Sequence, residues 1–206
     1  MANHCWNGIS ISRLNKEKVD KILSWLKSYE DFSYMNDWVE SIISEEYRLT
    51  KENSDNYVYG GRWFDFGVDE HSDTEIRLSG DSAWSPMLGL CQVLSKEFEC
   101  KIEIQFEESG ADFGGEIHFD NGQQDILYDG SYSGFQYYAD GIDRVIENYE
   151  WLDDDIAYTD DYKVALADVK EFLTEEDLAK FREAFIFHDK EYKIKKAIDS
   201  FTAKLD

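Results

Sequence analysis

The sequence KIEIQFEESGADFGGEIHFDNGQQDILYDG, residues 101–130, decides the fold of this chain. Apolar and polar residues alternate in three runs, 101–107, 113–120 and 124–130, and this period of two predicts β-strands. Asn121-Gly122, between the last two runs, is a strong signal for a two-residue hairpin turn. The segment therefore predicts three consecutive antiparallel strands.

Alternation also predicts which side chains share a face of these strands. The apolar residues are expected to face a core, with Ile126 and Tyr128 as the core residues of the third strand. The acidic residues between them are expected on the other face. They are Glu103, Glu107, Glu116, Asp120, Asp125 and Asp129, with His118 among them. Since directly opposed like charges destabilise a sheet, stability alone does not account for this arrangement.

Gly114-Gly115 lies in the same segment but does not predict a phosphate-binding loop. The segment lacks the Lys and the following helix of a P-loop, and its neighbouring charges are negative. We expect these glycines to serve the hairpin and to let a large aromatic such as Trp84 pack closely.

The residues before 101 complete a ferredoxin-like order. A strand is predicted at 5–11, a helix from Asn15, an added helix at 35–43 and a hairpin at 62–78. Ser85 is expected to cap the next helix, with Pro86 as its first residue. The order strand, helix, strand, strand, helix, strand is the split βαβ arrangement. The predicted class is α+β, with an antiparallel sheet that carries its helices on one face.

Two regions are expected along the chain. Residues 1–132 form the ferredoxin-like domain, with a helical insertion near 29–57. Residues 133–206 form an acidic connector and C-terminal helices packed on or beside the sheet. This second region includes a predicted helix at 136–150 and a capping box at 174–177. The last helices carry Lys180, Arg182, Lys190, Lys193, Lys195 and Lys196, which could alternatively fold back over the acidic face.

The net charge of −24 is concentrated in one part of the chain. Residues 103–162 contain 17 acidic residues and one basic residue, Arg144. Direct binding to a nucleic-acid backbone is strongly disfavoured, because it needs positive charge. Acidic surfaces are often solubilising coats. So concentrated a charge is also costly to the compact state, and this favours a basic partner or a cation. The residues expected to bind the partner are the six strand carboxylates together with Asp143, Glu147, Asp153, Asp154 and Asp155.

No catalytic constellation is evident, so we expect a protein that is not an enzyme and needs no cofactor. The four histidines stand apart, and His118 with its neighbouring glutamates lacks a diagnostic metal-ligand spacing. Cys5, Cys91 and Cys100 are expected to be reduced thiols in a core. The absence of a secretory signal or apolar span predicts a cytoplasmic protein, in a bacterial host cell if the resemblance below holds.

Four motifs resemble the YubB-type ferredoxin-like domain family, whose members occur on conjugative plasmids and phages. They are CWNGISIS near the start, GGRWFDFGVD at 60–69, SAWSPMLGL at 82–90 and FEESGADFGGE at 106–116. The resemblance covers roughly residues 1–125, and Trp84-Ser85-Pro86 is its most specific part. It implies a fold and a mobile-element setting, with no catalytic residue. For Asn7, Trp84 and Pro86 a structural role is expected: Asn7 satisfies buried backbone, and Trp84 packs across the sheet.

Three hypotheses of function follow from the sequence. The favoured one is a phage or plasmid accessory protein that inhibits a basic host defence protein of the restriction or CRISPR type. Its acidic surface would imitate nucleic-acid phosphates, and it would bind neither nucleic acid nor membrane itself. The first alternative is a metal-dependent enzyme that uses carboxylates with His118 or His71. The second is a regulatory binding module with a solubilising acidic coat.

Overall fold

The computed structural model of the chain describes residues 3–49, 58–141 and 174–180. Its centre is a six-stranded, fully antiparallel sheet in the order β2-β3-β1-β4-β5-β6. The strands are β1 (His4–Ser12), β2 (Phe64–His71), β3 (Ile76–Ala83), β4 (Lys101–Glu108), β5 (Phe113–Asp120) and β6 (Gln123–Gly130). The first four strands have the ferredoxin-like arrangement, and β5 and β6 extend it, which confirms the predicted α+β class.

Two helices pack on one face of this sheet. They are α1 (Lys16–Lys27), between β1 and β2, and α3 (Leu88–Glu97), between β3 and β4. A shorter helix, α2 (Met35–Glu40), follows α1. The core lies between sheet and helices, and burial of each large apolar side chain contributes about 1.5–3 kcal/mol. Its buried members include Ile9, Ile11, Ile76, Leu78, Ile102, Ile104, Ile117 and Phe119 from the strands, and Val19, Ile22, Leu26, Leu90 and Leu94 from the helices.

Two local signals in the sequence act as predicted. Asn15 caps α1, because its side-chain oxygen accepts a hydrogen bond of 2.9 Å from the Lys18 backbone N–H. Asn121 and Gly122 have φ angles of +51° and +79° between β5 and β6. Positive φ at both central residues is the requirement of a type I′ turn, which matches the twist of the flanking strands.

The residues after α1 are fixed to it by a pair of tryptophans. The rings of Trp25 and Trp38 stack with centroids 4.0 Å apart. Each indole N–H donates to the backbone carbonyl of the other residue, at 2.9 Å and 3.2 Å. Because both indole N–H groups are satisfied, the rings can be buried without an unpaired donor.

The three cysteines are free and buried, as the sequence predicts. Burial raises the pKa of Cys5 and of Cys100 to about 12, and it also raises the pKa of Cys91. Since the thiolate is the reactive form, these residues behave as small apolar core residues.

The helix after β3 begins later than predicted. It starts at Leu88 with Met87 as its N-cap residue, so the assignment of Ser85 and Pro86 to the cap and first turn is wrong. The Met87 backbone N–H donates to the Asn7 side-chain oxygen at 3.0 Å. The Ser85 carbonyl accepts from the Ser82 hydroxyl at 2.7 Å. These two bonds hold residues 85–87 against β1 and β3, so the helical turn cannot begin there.

The chain divides into two compact units, residues 1–132 and 133–206. The helix α4 (Tyr132–Asp140) begins earlier than the predicted helix at 136–150, and Gly141 follows it with φ +80°. Residues 142–150 lie outside the described residues, as do the other C-terminal helices expected after 150, except 174–180. There, Thr174 caps the helical residues 175–180 by accepting from the Asp177 N–H at 3.1 Å, as the capping signal predicts. Among the described residues, no helix is long and apolar enough to cross a membrane.

Candidate binding face of the sheet

The side of the sheet opposite α1 and α3, called the open face below, carries the candidate site. Directly paired residues of neighbouring strands share a face, so the register defines its composition. Its acidic residues are Asp65 and Glu70 of β2, Asp81 of β3, Glu103 and Glu107 of β4, Glu116 and Asp120 of β5, and Asp125 of β6. The register also brings Trp6, Ser10, Arg77, Lys101, Gln105 and His118 to this face.

The carboxylates of β4, β5 and β6 do not oppose one another, contrary to the sequence-based expectation. Glu103 pairs with His118, which pairs in turn with Asp125. Gln105 lies opposite Glu116, and Lys101 lies opposite Asp120. On these three strands the register therefore alternates carboxylates with neutral or basic side chains, and this limits the like-charge repulsion that directly opposed acids would cause. Asp65 of β2 and Asp81 of β3, by contrast, are directly opposed.

Lys101 of β4 and Arg13, which directly follows β1, pair with two of these acids. The Lys101 ammonium bonds the Glu103 carboxylate and lowers the pKa of that carboxyl. Arg13 reaches Asp120 with 2.7 Å between guanidinium and carboxylate. Neither pair was predicted from the sequence, although the alternation that places Glu103 outward also places Lys101 there. Such exposed pairs contribute about 0–1 kcal/mol each, so they balance charge more than they stabilise the fold.

His118 has the closest polar contacts on the open face. Its Nε2 lies 2.9 Å from a carboxylate oxygen of Glu116 and 3.9 Å from one of Glu103. Gln105 donates to the other oxygen of Glu116 at 2.9 Å. The His118 and Glu116 side chains are only 19% and 17% exposed, so this is a partly shielded network rather than a fully solvated histidine. Among the described residues, no group of three or more His, Cys, Asp or Glu side chains is arranged to hold a metal ion.

A shallow depression of about 380 Å³ lies at the centre of the open face. The benzene ring of Trp6 leans over Gly8 and forms one wall, and the Trp6 side chain remains partly exposed. The charged groups of its lining come from Asp69, Arg77, Glu103 and Glu116. Arg77 is held by Glu75 at 2.8 Å and lies 3.9 Å from Glu70. The depression thus combines an aromatic wall with side chains of both charges.

The outer end of β6 differs from the predicted face assignment. The register shifts at Leu127, so that Ile117 pairs with Ile126 whereas Glu116 pairs with Tyr128. A β-bulge of this kind adds a residue and reverses the faces beyond it. Tyr128 consequently shares the open face, and Asp129 shares the helix-bearing face of Gly115. The expectation that Asp129 joins the other strand carboxylates, and that Tyr128 faces the core, is wrong.

The acidic turn between β4 and β5 is organised by Glu108. This carboxylate is buried and accepts hydrogen bonds from the backbone N–H groups of Gly110 and Ala111. Gly115 meets Phe106 rather than Trp84: a Cβ added at Gly115 would lie 2.5 Å from the Phe106 ring. The expectation of close glycine packing holds, but the aromatic partner was assigned wrongly.

The motif residues near the start of the chain and around 82–87 form one hydrogen-bonded cluster centred on Asn7. Asn7 is fully buried and donates to the Cys5 carbonyl and the Ser82 hydroxyl, each at 2.8 Å. It also accepts from the Met87 N–H, so the expected role of Asn7 is confirmed. Trp84 does not pack across the sheet, because it is 60% exposed and has a φ of +73°.

Five of the residues predicted to bind a partner lie outside the described residues. They are Asp143, Glu147, Asp153, Asp154 and Asp155. The basic residues of the last helices also lie there, except Lys180. His71 and His118, which the enzyme hypothesis invokes, belong to β2 and β5, with three strands between them. His71 pairs with Ile76 and shares the helix-bearing face, so the structure does not bring the two histidines together.

The topology and the open face define a ferredoxin-like domain with two added strands. Comparison with known proteins agrees at this level: residues 63–150 match the family described as a ferredoxin-like domain in Api92-like protein. Among solved structures, the chain is similar in part to a protein api92 from Yersinia pseudotuberculosis, at 18% identity and a TM-score of 0.26. That match covers 47% of this chain and 29% of that one. No curated protein matches the chain.

Proposed function

We propose that this chain is a binding protein that docks its open face against a positively charged surface of another protein. The observation that carries the proposal is the register, which among the described residues brings eight carboxylates and two cations, Arg77 and Lys101, to this face; Arg13 adds a third cation from the loop after β1. Opposite charge steers association and makes it fast and sensitive to salt. Trp6, partly exposed beside the central depression, provides the kind of aromatic contact that dominates binding energy in interfaces.

In its finer form, the proposal is that the acidic surface imitates nucleic-acid phosphates. Double-stranded DNA carries one charge per ~1.7 Å of axis. The open face offers carboxylates on five of its six strands, all except the central β1, and neighbouring strands lie about 4.8 Å apart. The partner would then be a basic nucleic-acid-binding protein of host defence, of the restriction or CRISPR type. The resemblance of the sequence motifs to phage and plasmid proteins supports this setting.

Pull-down from a bacterial lysate at low and high salt, followed by identification of the captured protein, tests the proposal. We expect a nucleic-acid-binding protein that is released by salt and displaced by double-stranded DNA. If DNA does not displace the captured protein, the nucleic-acid mimic is contradicted, whereas binding to a basic protein is still supported. Failure to capture any basic protein would favour a solubilising acidic coat.

The metal-dependent enzyme is a second candidate, and the contacts of His118 with Glu116 and Glu103 are the observation in its favour. A thermal shift with Ca²⁺, Mn²⁺ or Zn²⁺ distinguishes it from the binding protein, because a ligand that binds only the folded state raises the melting temperature. A divalent ion should then raise the melting temperature well above that in a monovalent salt of the same ionic strength, and H118A should abolish the increase. That result would support the enzyme hypothesis.

A further inference from the structure

A second surface lies along the edge strand β2, away from the centre of the open face. A groove of about 510 Å³ runs between β2 and α1 on the helix-bearing side of the sheet. Its apolar lining comes from both elements, and Lys27, Glu30, Asp65 and His71 contribute polar groups. The apolar side chains are Leu23 and Leu26 of α1 and Phe64, Phe66 and Val68 of β2. Val68 is 41% exposed, so the groove is accessible to a ligand.

The backbone of β2 presents hydrogen-bonding groups along the same edge. The Ala83 N–H donates to the Trp63 carbonyl at 3.2 Å, so the backbone N–H and C=O groups of Trp63 point toward β3. Because these directions alternate along a strand, the backbone N–H and C=O groups of Phe64, Phe66 and Val68 point away from β3, toward the free edge. The Phe64 N–H is taken by the Tyr29 hydroxyl at 3.1 Å. In the described part of the chain β2 is the terminal strand, so the outward groups of Phe66 and Val68 have no strand beside them.

Three residues of β2, Asp65, Asp69 and Glu70, are acidic. Asp65 and Glu70 belong to the open face by register, and Asp69 lies at the bulge between Val68 and Glu70. All three are exposed. A second copy of β2 paired along this edge would oppose acids with acids, which is unfavourable. The complementary strand therefore alternates apolar residues with basic ones.

We propose that β2 accepts an extended segment of a partner protein as a seventh strand. The apolar side chains of this segment occupy the groove at alternate positions, and its Lys or Arg side chains lie beside Asp65, Asp69 and Glu70. In this mode of recognition, main-chain hydrogen bonds contribute affinity and the side-chain pockets contribute specificity. The apolar groove and the outward backbone groups of β2 belong to this site alone, whereas Asp65, Asp69 and Glu70 are shared with the open face. The test therefore addresses the groove and the edge backbone.

Amide hydrogen exchange on the full chain, measured by NMR, tests this directly. The probe is a blocked nine-residue peptide in which Val and Lys alternate, and its control has the same composition in two blocks. At saturating alternating peptide, we expect exchange of the Phe66 and Val68 amides to slow by about ten-fold or more. The Gly67 amide, which faces β3, should change little. The block peptide should leave all three amides unchanged.

A pair of protein variants makes the test specific for the groove. V68K places a charge in the groove at an exposed position, and we expect it to weaken peptide binding by about ten-fold, which is about 1.4 kcal/mol. L127K is the matched control, because Leu127 is 43% exposed on the opposite edge strand β6. Equal binding by V68K and wild type, or by the block and alternating peptides, would overturn the proposal. So would protection of Phe66 and Val68 that rises with protein concentration without peptide, because that outcome indicates self-association.

Discussion

Replacement of Asn7 by Ala is expected to destabilise the fold more than any exposed substitution. The side chain is fully buried between β1, β3 and the residues before α3. It donates to the Cys5 carbonyl and the Ser82 hydroxyl and accepts from the Met87 N–H, at 2.8, 2.8 and 3.0 Å. In N7A the Met87 N–H loses this acceptor, and the Cys5 carbonyl and Ser82 hydroxyl each lose the hydrogen bond from the amide.

A buried donor left without a partner costs about 1–3 kcal/mol and each of the two other lost hydrogen bonds about 1 kcal/mol, so the loss for N7A is about 3–5 kcal/mol of unfolding free energy. Urea unfolding of the full chain, followed by tryptophan fluorescence, measures this loss. Q124A is the control: Gln124 is exposed on β6, and its replacement should change stability by less than about 0.5 kcal/mol. If N7A loses less than about 1 kcal/mol of unfolding free energy, a loss comparable with that of Q124A, the role of Asn7 as the centre of the hydrogen-bonded cluster is refuted.

Three further predictions concern single positions. Trp84 is exposed and has a φ of +73°, and a left-handed backbone costs a non-glycine residue about 1–2 kcal/mol. W84G should therefore unfold at a higher urea concentration than W84A. A higher urea midpoint for W84A would contradict backbone strain at this position. G115A should destabilise by about 1–3 kcal/mol, because its Cβ would lie 2.5 Å from the Phe106 ring and 2.8 Å from the Tyr128 carbonyl oxygen; unchanged thermal stability would show that the contact relaxes freely. In K101M, loss of the Lys101 hydrogen bond should raise the pKa of Glu103 toward its ordinary value. NMR titration of the Glu103 carboxyl measures this pKa, and a pKa that stays lowered in K101M would contradict the pairing. Because the folded-state pKa of Glu103 is lowered, the stability from this pair is present above its unfolded pKa and is lost as pH falls through the folded one.

The strands and their faces follow from local signals in the sequence. Alternation in residues 101–130 locates β4, β5 and β6, since a half-buried strand has a period of two. Asn121-Gly122 and Asn15 act through their own backbone and side chain, so no distant contact is needed to predict them. The same alternation contains the Lys101–Glu103 pair, because residues two apart on a strand share a face.

The features that sequence reasoning missed depend on distant contacts. The late start of α3 results from bonds between residues 85–87 and positions in β1 and β3, which no local capping pattern reveals. The bulge at Leu127 is set by pairing with β5, and it moves Asp129 to the other face. Arg13 reaches Asp120 from a loop with φ +61°, across 107 residues of sequence. Charge counting alone therefore overstated the repulsion on the open face.

The central claim is that the open face binds a basic protein surface. Its test compares two variants that each remove five negative charges. The first carries E103Q, E107Q, E116Q, D120N and D125N on the open face. The second carries E17Q, D20N, D31N, D37N and E45Q, at exposed positions in and around α1 and α2.

Affinity of wild type and both variants for the captured partner is the decisive measurement, made at two salt concentrations. We expect the open-face variant to lose binding and its salt dependence, and the second variant to bind within about three-fold of wild type, a difference below 1 kcal/mol. Both should remain folded, because exposed ion pairs contribute about 0–1 kcal/mol each. Equal losses in the two variants would show that only net charge matters, and retained binding by the open-face variant would contradict the claim.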